Sequence, residues 1–177
     1  MTTASPSSAW AVGSFITKAG PFGKPYVAHW NGHAWKQVSA PLGFLSGAVS
    51  TSTRNTWVVG GTGGDGLDFP LVLRSKGGSW TRAHVPMPPT GGHFFGVAAT
   101  SSSNAWAVGL GYGSSIRAFI VRWNGSAWKQ VRTPRLGSSA LNGVAATSAG
   151  NAWAVGHTGP ASRPTALILR WNGSTWK

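Results

Sequence analysis

Cysteine and glutamate are absent from this chain of 177 residues, and aspartate occurs twice, at Asp65 and Asp68. Without thiols there are neither disulfides nor thiolate metal sites. With two acids, catalysis by a pair of carboxylates has almost nothing to draw on. Charged residues make up 10% of the chain, against roughly 25% in ordinary soluble domains. No apolar run approaches the roughly 18 residues of a membrane span, so none is expected. The opening Met1-Thr-Thr-Ala-Ser-Pro6 has no charged stretch leading into an apolar one, so a signal peptide is not expected there.

What is abundant is basic charge and tryptophan. Fifteen Lys and Arg give a formal charge of +13, and eleven Trp argue for a folded chain, because disordered chains are poor in aromatics. The tryptophans are periodic. Ala-Trp-Ala-Val-Gly stands at Trp10, Trp106 and Trp153, with Thr-Trp-Val-Val-Gly at Trp57; the steps are 47, 49 and 47 residues. Trp35, Trp80, Trp128 and Trp176 step by 45, 48 and 48, and Trp-Asn-Gly recurs at Trp30, Trp123 and Trp171, with Ser75 in the second unit. The chain is four copies of one unit of about 48 residues, and such a period marks a repeat architecture.

The third unit shows the content. Gly96–Thr100 reads as a strand, Ser101–Asn104 as a turn and Ala105–Val108 as a second strand. A Gly/Ser loop leads to Ala118–Trp123, and Ala127–Val131 returns after Asn124-Gly125. Asn-Gly between strands predicts a two-residue type I′ hairpin. That register would pair Trp123 with Ser126 and Val121 with Trp128, leaving Trp123 and Trp128 diagonal on one face. The same register puts His29 and His33 on opposite faces, unable to share an ion. Gly77-Gly78 and Ser75 should make the second hairpin the weakest. With Gly or Pro in every connection and no helical period, the chain is all-β.

One four-stranded sheet cannot cover both of its faces, but radial stacking of such units can. The repeats resemble bacterial β-propellers of the broad kelch and galactose-oxidase-central-domain group, which read Trp-Ala-Val-Gly, Trp-Asn-Gly, Trp. The resemblance spans essentially the whole chain. It implies one propeller domain over 1–177, with approximate blades 1–45, 46–93, 94–141 and 142–177, and a tendency to bind ligands on one rim. Either four blades close a small ring, or two chains join as a homodimer into an eight-bladed one, or the chain is a piece of a longer parent. Met1–Ser5 aligns with Val97–Ser101, so the first copy should lack the front of its inner strand.

Comparing the four copies points to the rim. Two connections differ between copies: the loop between second and third strands (14–25, 61–70, 110–117, 157–164) and the link to the next unit (39–46, 86–95, 132–142). Antiparallel connectivity brings both to one rim, where recognition commonly lives. Candidate ligand-binding residues there are Lys18, Lys24, His93, Tyr112, Arg117, His157 and Arg163, among the aromatics Phe15, Phe22, Phe44, Phe69, Phe94 and Phe95. Aromatic faces with interleaved cations suit carbohydrate, other polar or anionic ligands, and single-stranded nucleic acid. The charge of +13 predicts nonspecific, salt-sensitive nucleic-acid binding. Arg74, Arg122 and Arg170, with His29 in the first unit, recur beside the third-strand Trp position and read as scaffold that keeps outer strands soluble.

Signals for chemistry are sparse. Asp65 and Asp68 in a Gly-rich loop offer too few oxygens for calcium, and read as a solvated turn with Arg partners. No Gly-x-Ser-x-Gly elbow and no evident base accompany the serines. The Asn-Gly-Ser sites at 124–126 and 172–174 are explained by their turns. The expectation is a non-catalytic, lectin-like binding propeller without metal or cofactor; the alternative is an assembly module that completes a larger ring, and behind it a cation-assisted enzyme using His157 or Arg163.

Overall fold

A computed structural model describes residues 1–17, 20–63, 68–77 and 79–177, with the backbone alone for 16–17 and 20–23. Among the described residues, fifteen strands form four consecutive antiparallel sheets. The first holds β1 (Thr2–Ser5), β2 (Ser8–Thr17), β3 (Gly20–Trp30) and β4 (Trp35–Gln37), and the second β5 (Phe44–Ser52), β6 (Asn55–Gly61), β7 (Pro70–Ser75) and β8 (Trp80–Arg82). The third holds β9 (Gly92–Ser101), β10 (Asn104–Gly111), β11 (Arg117–Trp123) and β12 (Trp128–Val131), and the fourth β13 (Ser139–Ser148), β14 (Asn151–Thr158) and β15 (Thr165–Trp171). In place of a sixteenth strand, Trp176 bridges to Trp171, and Arg170 and Lys177 exchange two backbone hydrogen bonds of 2.8 and 3.0 Å. Each sheet is a propeller blade running inner to outer in chain order, and no helix long and apolar enough to cross a membrane is present among the described residues.

The inner strands β1, β5, β9 and β13 neighbour one another in sequence. The core therefore lies between blades. Trp10, Val27, Leu45, Val58, Leu71 and Leu73 fill the first gap. Trp57, Val59 and Val72 meet Phe94, Phe119, Val121, Trp123 and Trp128 in the second. Trp106, Val108 and Ile120 meet Leu141, Leu167, Leu169, Trp171 and Trp176 in the third. β6 is buried at every position because a blade covers it on each side, whereas β14 and β15 alternate between buried and exposed residues. Among the described residues, the extensive inter-blade packing joins consecutive blades only, so within one chain the first and last blades stay apart.

Bulges explain the recurrent glycine of Trp-Ala-Val-Gly. β5, β9 and β13 each carry two extra residues opposite β6, β10 and β14. Thr51, Thr100 and Thr147 lie near the turn; Ser46, Phe95 and Asn142, further along, are the bulges that bear on the glycine. Directly beside each bulge, a Cβ on Gly60, Gly109 or Gly156 would run into the carbonyl of Phe44, His93 or Ala140. Close backbone approach is what excludes a side chain there. Gly13, the first-blade counterpart, meets nothing within 4 Å, because β1 ends its pairing at Trp10 as the truncated inner strand predicts.

Two sequence expectations change. The hairpin register is Trp123↔Trp128, Arg122↔Lys129 and Val121↔Gln130, with a four-residue loop in place of a two-residue turn. Asn124 causes this: its N–H donates to the Ala127 carbonyl at 3.2 Å, and its Oδ1 accepts from the N–H groups of Ser126 and Ala127 at 3.0 and 2.9 Å. Such an Asx arrangement competes with the type I′ turn. Trp30↔Trp35 and Ser75↔Trp80 follow the same register. Second, the expected loop 14–25 is largely strand ladder, with Ser14↔Pro25 and Phe15↔Lys24 paired. β4 pairs only as far as Ala28, so Pro25 sits on an edge where its missing N–H costs no bond.

Candidate functional site

The two variable connections do meet on one rim. Ser14 Oγ donates to the Gly43 carbonyl at 3.3 Å, Gly92 N–H to the Asp68 carbonyl at 2.7 Å and Ser139 N–H to the Ile116 carbonyl at 3.1 Å. Each bond ties the second-to-third-strand connection of one blade to the segment that starts the next.

Between the third blade and the 86–95 segment lies a cleft of 370 Å³, lined by Met87, Pro88, Tyr112, Arg117, Phe119 and Gln130 among others. Tyr112 is placed by its N–H, which donates to the Gly91 carbonyl at 2.9 Å. Gly111 lets Pro88 pack against the strand, since a Cβ there would come within 2.9 Å of the Pro88 ring. Tyr112 is half-buried, and Arg117 is exposed at the start of β11. The structure thus brings together two of the seven sequence-predicted residues. Lys24, His157 and Arg163 are exposed but do not line this cleft, and Lys18 lies outside the described residues.

His93 is not the free rim donor expected of it. It is buried, with both ring nitrogens engaged: Nδ1 lies 2.6 Å from Asp68 Oδ2 and Nε2 lies 2.7 Å from Ser46 Oγ. Asp68 Oδ1 accepts from the Gly63 N–H at 2.9 Å, which orients the carboxylate. So the partner of Asp68 is a histidine and not an arginine; Asp65 lies outside the described residues. Gly61 makes room for this pair, because a Cβ there would strike both Asp68 and His93. In the tautomer that donates from Nδ1 to the Asp68 carboxylate, Nε2 is left to accept from the Ser46 hydroxyl. Ser46 is the bulge residue of β5 and is exposed, and the Phe95 ring packs over His93 at 4.7 Å. This is a hydroxyl, a base and an orienting carboxylate in hydrogen-bonding sequence. Nothing in the linear sequence announces it, because Ser46, Asp68 and His93 come from three separate segments. The one available signal was that Asp68, a rare acid, falls in the same rim class as His93.

Two of the three repeated arginines are not solubilising decoration, while Arg170 is exposed. Arg74 lies 4.5 Å over the Trp57 ring and 5.3 Å from that of Trp123, and its Nε donates to Asn55 Oδ1 at 2.9 Å. Arg122 lies 4.8 Å over Trp106 and 5.5 Å from Trp171, with Nε and Nη2 both donating to Asn104 Oδ1 and Nη2 also to the Ala149 carbonyl. They are wedges between blades. Burial pushes both guanidinium pKa values down from their ordinary range. In the first blade Ser8 and His29 take these roles: Ser8 Oγ is 3.1 Å from His29 Nε2, and His29 stacks on Trp10 at 4.2 Å. Of the rim aromatics, Phe94 is a buried plug stacked on Phe119, Phe15 and Phe69 are exposed, and the Phe22 side chain is not described. Among the described residues no three His or acidic side chains gather as a metal site.

No protein-family model and no curated protein matches this sequence. Solved structures do. The chain is similar to YCF48 bound to a D1 peptide, at 15% identity and a TM-score of 0.52, covering 99% of this chain and 64% of that one. It is also similar to a structure concerning the GH130 family of mannoside phosphorylases, which contains glycoside hydrolases that target beta-1,2 mannosidic linkages in Candida mannan. There the identity is 12% and the TM-score 0.54, with 99% and 67% of the two chains covered. The chain spans just under two thirds of the first structure. At these identities the likeness carries the fold, and the fold is a β-propeller.

Proposed function

We propose that this chain is a non-catalytic binding propeller of the kelch-like kind its repeats suggest, taking a carbohydrate or another polar, anionic ligand in the Tyr112–Arg117 cleft. The observation that carries the reading is the convergence of an aromatic ring, a cation without a side-chain partner among the described residues, and the Gln130 amide in one 370 Å³ cleft. That volume lies within the roughly 300–1,000 Å³ of small-molecule sites. An aromatic face covers the apolar side of a sugar ring, and Arg pairs with a carboxylate or sulfate in a fork. The fold suits such a role: YCF48 binds a peptide, and the GH130 neighbour belongs to a family that acts on mannosides. A glycan array weighted toward uronic acids and sulfated sugars, followed by calorimetry, tests it. Tyr112→Ala and Arg117→Ala should each weaken a hit about tenfold or more; an array with no hit surviving moderate salt sinks the reading.

The Ser46–His93–Asp68 chain favours a second reading, acyl transfer. His93 Nε2 would take the Ser46 proton as Oγ adds to an ester carbonyl carbon. The protonated ring would then hand that proton to the departing alcohol oxygen, and water would release the acyl group by the same route. Fluorophosphonate labelling of Ser46, abolished in Ser46→Ala and much slowed in His93→Gln, is the expected result. No labelling of the native chain leaves these residues as a tie between the second and third blades.

A further inference from the structure

The three joints inside the chain follow one rule, and the two end faces are its two halves. In each joint a blade offers its second-strand Trp with a third-strand Arg or His laid on it, and the following blade offers aromatic rings from its third and fourth strands. Trp57 under Arg74 meets Trp123 and Trp128 with centroids 5.1 Å away in both cases. Trp106 under Arg122 meets Trp171 and Trp176 at 4.9 and 5.2 Å. Trp10 stacked on His29 meets Trp80 at 5.1 Å, Ser75 standing where the other receiving ring would be.

The last blade presents the offering half with no further blade against it among the described residues. Arg170 already lies over Trp153 at 5.3 Å, yet Trp153 is 44% exposed where Trp57 and Trp106 are at 0%. Its neighbours on that face agree: Ile168 is 63% exposed, while Val72 and Ile120 at the same place in the second and third blades are at 0%. The first blade presents the receiving half. Trp30 and Trp35 stand 5.9 Å apart at 47°, matching Trp123–Trp128 (5.9 Å, 48°) and Trp171–Trp176 (5.9 Å, 50°). Trp35 is nevertheless 46% exposed, against 4% for Trp128 and 3% for Trp176. Tyr26, in the place of Phe119, is 43% exposed against 5%. The large apolar side chains left open at the chain's two ends are thus those that the internal joints bury.

We infer that the occupant of each end face is a second copy of this chain, with Trp153 and Arg170 of one copy seated against Trp30, Trp35 and Tyr26 of the other. The joint is head to tail, since the two faces differ, and a head-to-tail contact either propagates or closes a ring. Two copies closing through two such joints give eight blades, within the usual four to eight. Continuity with the three established joints selects this occupant. Charge opposes it mildly, as each copy carries +13, so association strengthens as salt screens the repulsion.

The test is the mass of the 177-residue chain by light scattering at low and moderate salt, alongside Trp153→Lys, Ile168→Lys and Trp35→Lys. The expected mass is twice 18.3 kDa, favoured by salt, with each variant reverting to the single-chain mass while its β-sheet spectrum is kept. The three positions are 44%, 63% and 46% exposed in the lone chain, and the kept β-sheet spectrum separates loss of pairing from loss of fold in each variant. An equimolar mixture of Trp153→Lys and Trp35→Lys should recover pairing through one intact joint, because each retains the half the other lost, while the second joint, substituted on both sides, stays open. A native chain that stays at 18.3 kDa, or a doubled mass that none of the variants changes, overturns the inference; a ladder of larger masses overturns closure by two copies.

Discussion

Trp57 stands edge-on to Trp128 of the following blade, the ring planes at 82° and the centroids 5.1 Å apart, and both rings are buried. Trp10–Trp80 and Trp106–Trp176 repeat the arrangement at 84° and 80°. The indole N–H groups of all six find no hydrogen-bond acceptor among the described residues. An indole edge set against a π face is a weak substitute for that bond, so the joint rests on area and shape. Trp57→Ala should therefore lower stability by about 3–5 kcal/mol, read from urea midpoints, whereas Trp57→Phe should recover a large part of the loss.

The glycine of the Trp-Ala-Val-Gly repeat offers an internal control. Gly109→Ala forces a Cβ onto the His93 carbonyl, while Gly13→Ala enters open space. Gly109→Ala should destabilise by about 1–3 kcal/mol, the usual range for overpacking. Gly13→Ala should be neutral or slightly stabilising, because it restricts the unfolded chain. Paired thermal melts decide it, and equal effects would refute the bulge explanation.

Arg122 and Lys129 lie directly opposite each other in the outer hairpin yet differ in burden. Arg122→Lys keeps the charge but loses the fork to Asn104, the bond to Ala149 and the planar stack. A loss of about 2 kcal/mol is expected. Lys129→Ala, at an exposed position, should change stability by less than about 0.5 kcal/mol. Chemical denaturation of the two variants checks the contrast.

Polyanion binding should be broad and salt-limited. With +13 per chain and two acids, fluorescence titration with single-stranded DNA should show affinity falling linearly on logarithmic axes as salt rises. Base composition should matter little. A ligand bound in the Tyr112–Arg117 cleft should show a shallower slope, since it engages one cation and not the whole field.

Much of the architecture was legible in order of appearance: tryptophan spacing fixed the blade count, Gly and Pro marked the connections, and Met1–Ser5 announced the short inner strand. What was not legible depends on neighbours remote in sequence. The hairpin register slipped because Asn124 uses its side chain as well as its backbone, a choice that Asn-Gly alone does not disclose. Arg74 and Arg122 read as surface residues because a single blade leaves them on its face; only the adjacent blade turns that face into an interior. Tyr112 and Arg117 could be placed side by side from the sequence because both flank one connection, whereas the contact of Ser46 with His93 could not, because its partners come from two other segments.

The bulge residues Ser46, Phe95 and Asn142 stand at one equivalent position in three blades and are unrelated in chemistry: a hydroxyl, a phenyl ring and an amide. Each is surplus to the ladder, so exchanging it disturbs no strand pair. The row of inner strands consequently has a set of interchangeable letters beside a fixed alphabet of tryptophan and glycine, and new specificities can be written there without renegotiating how the sheets assemble.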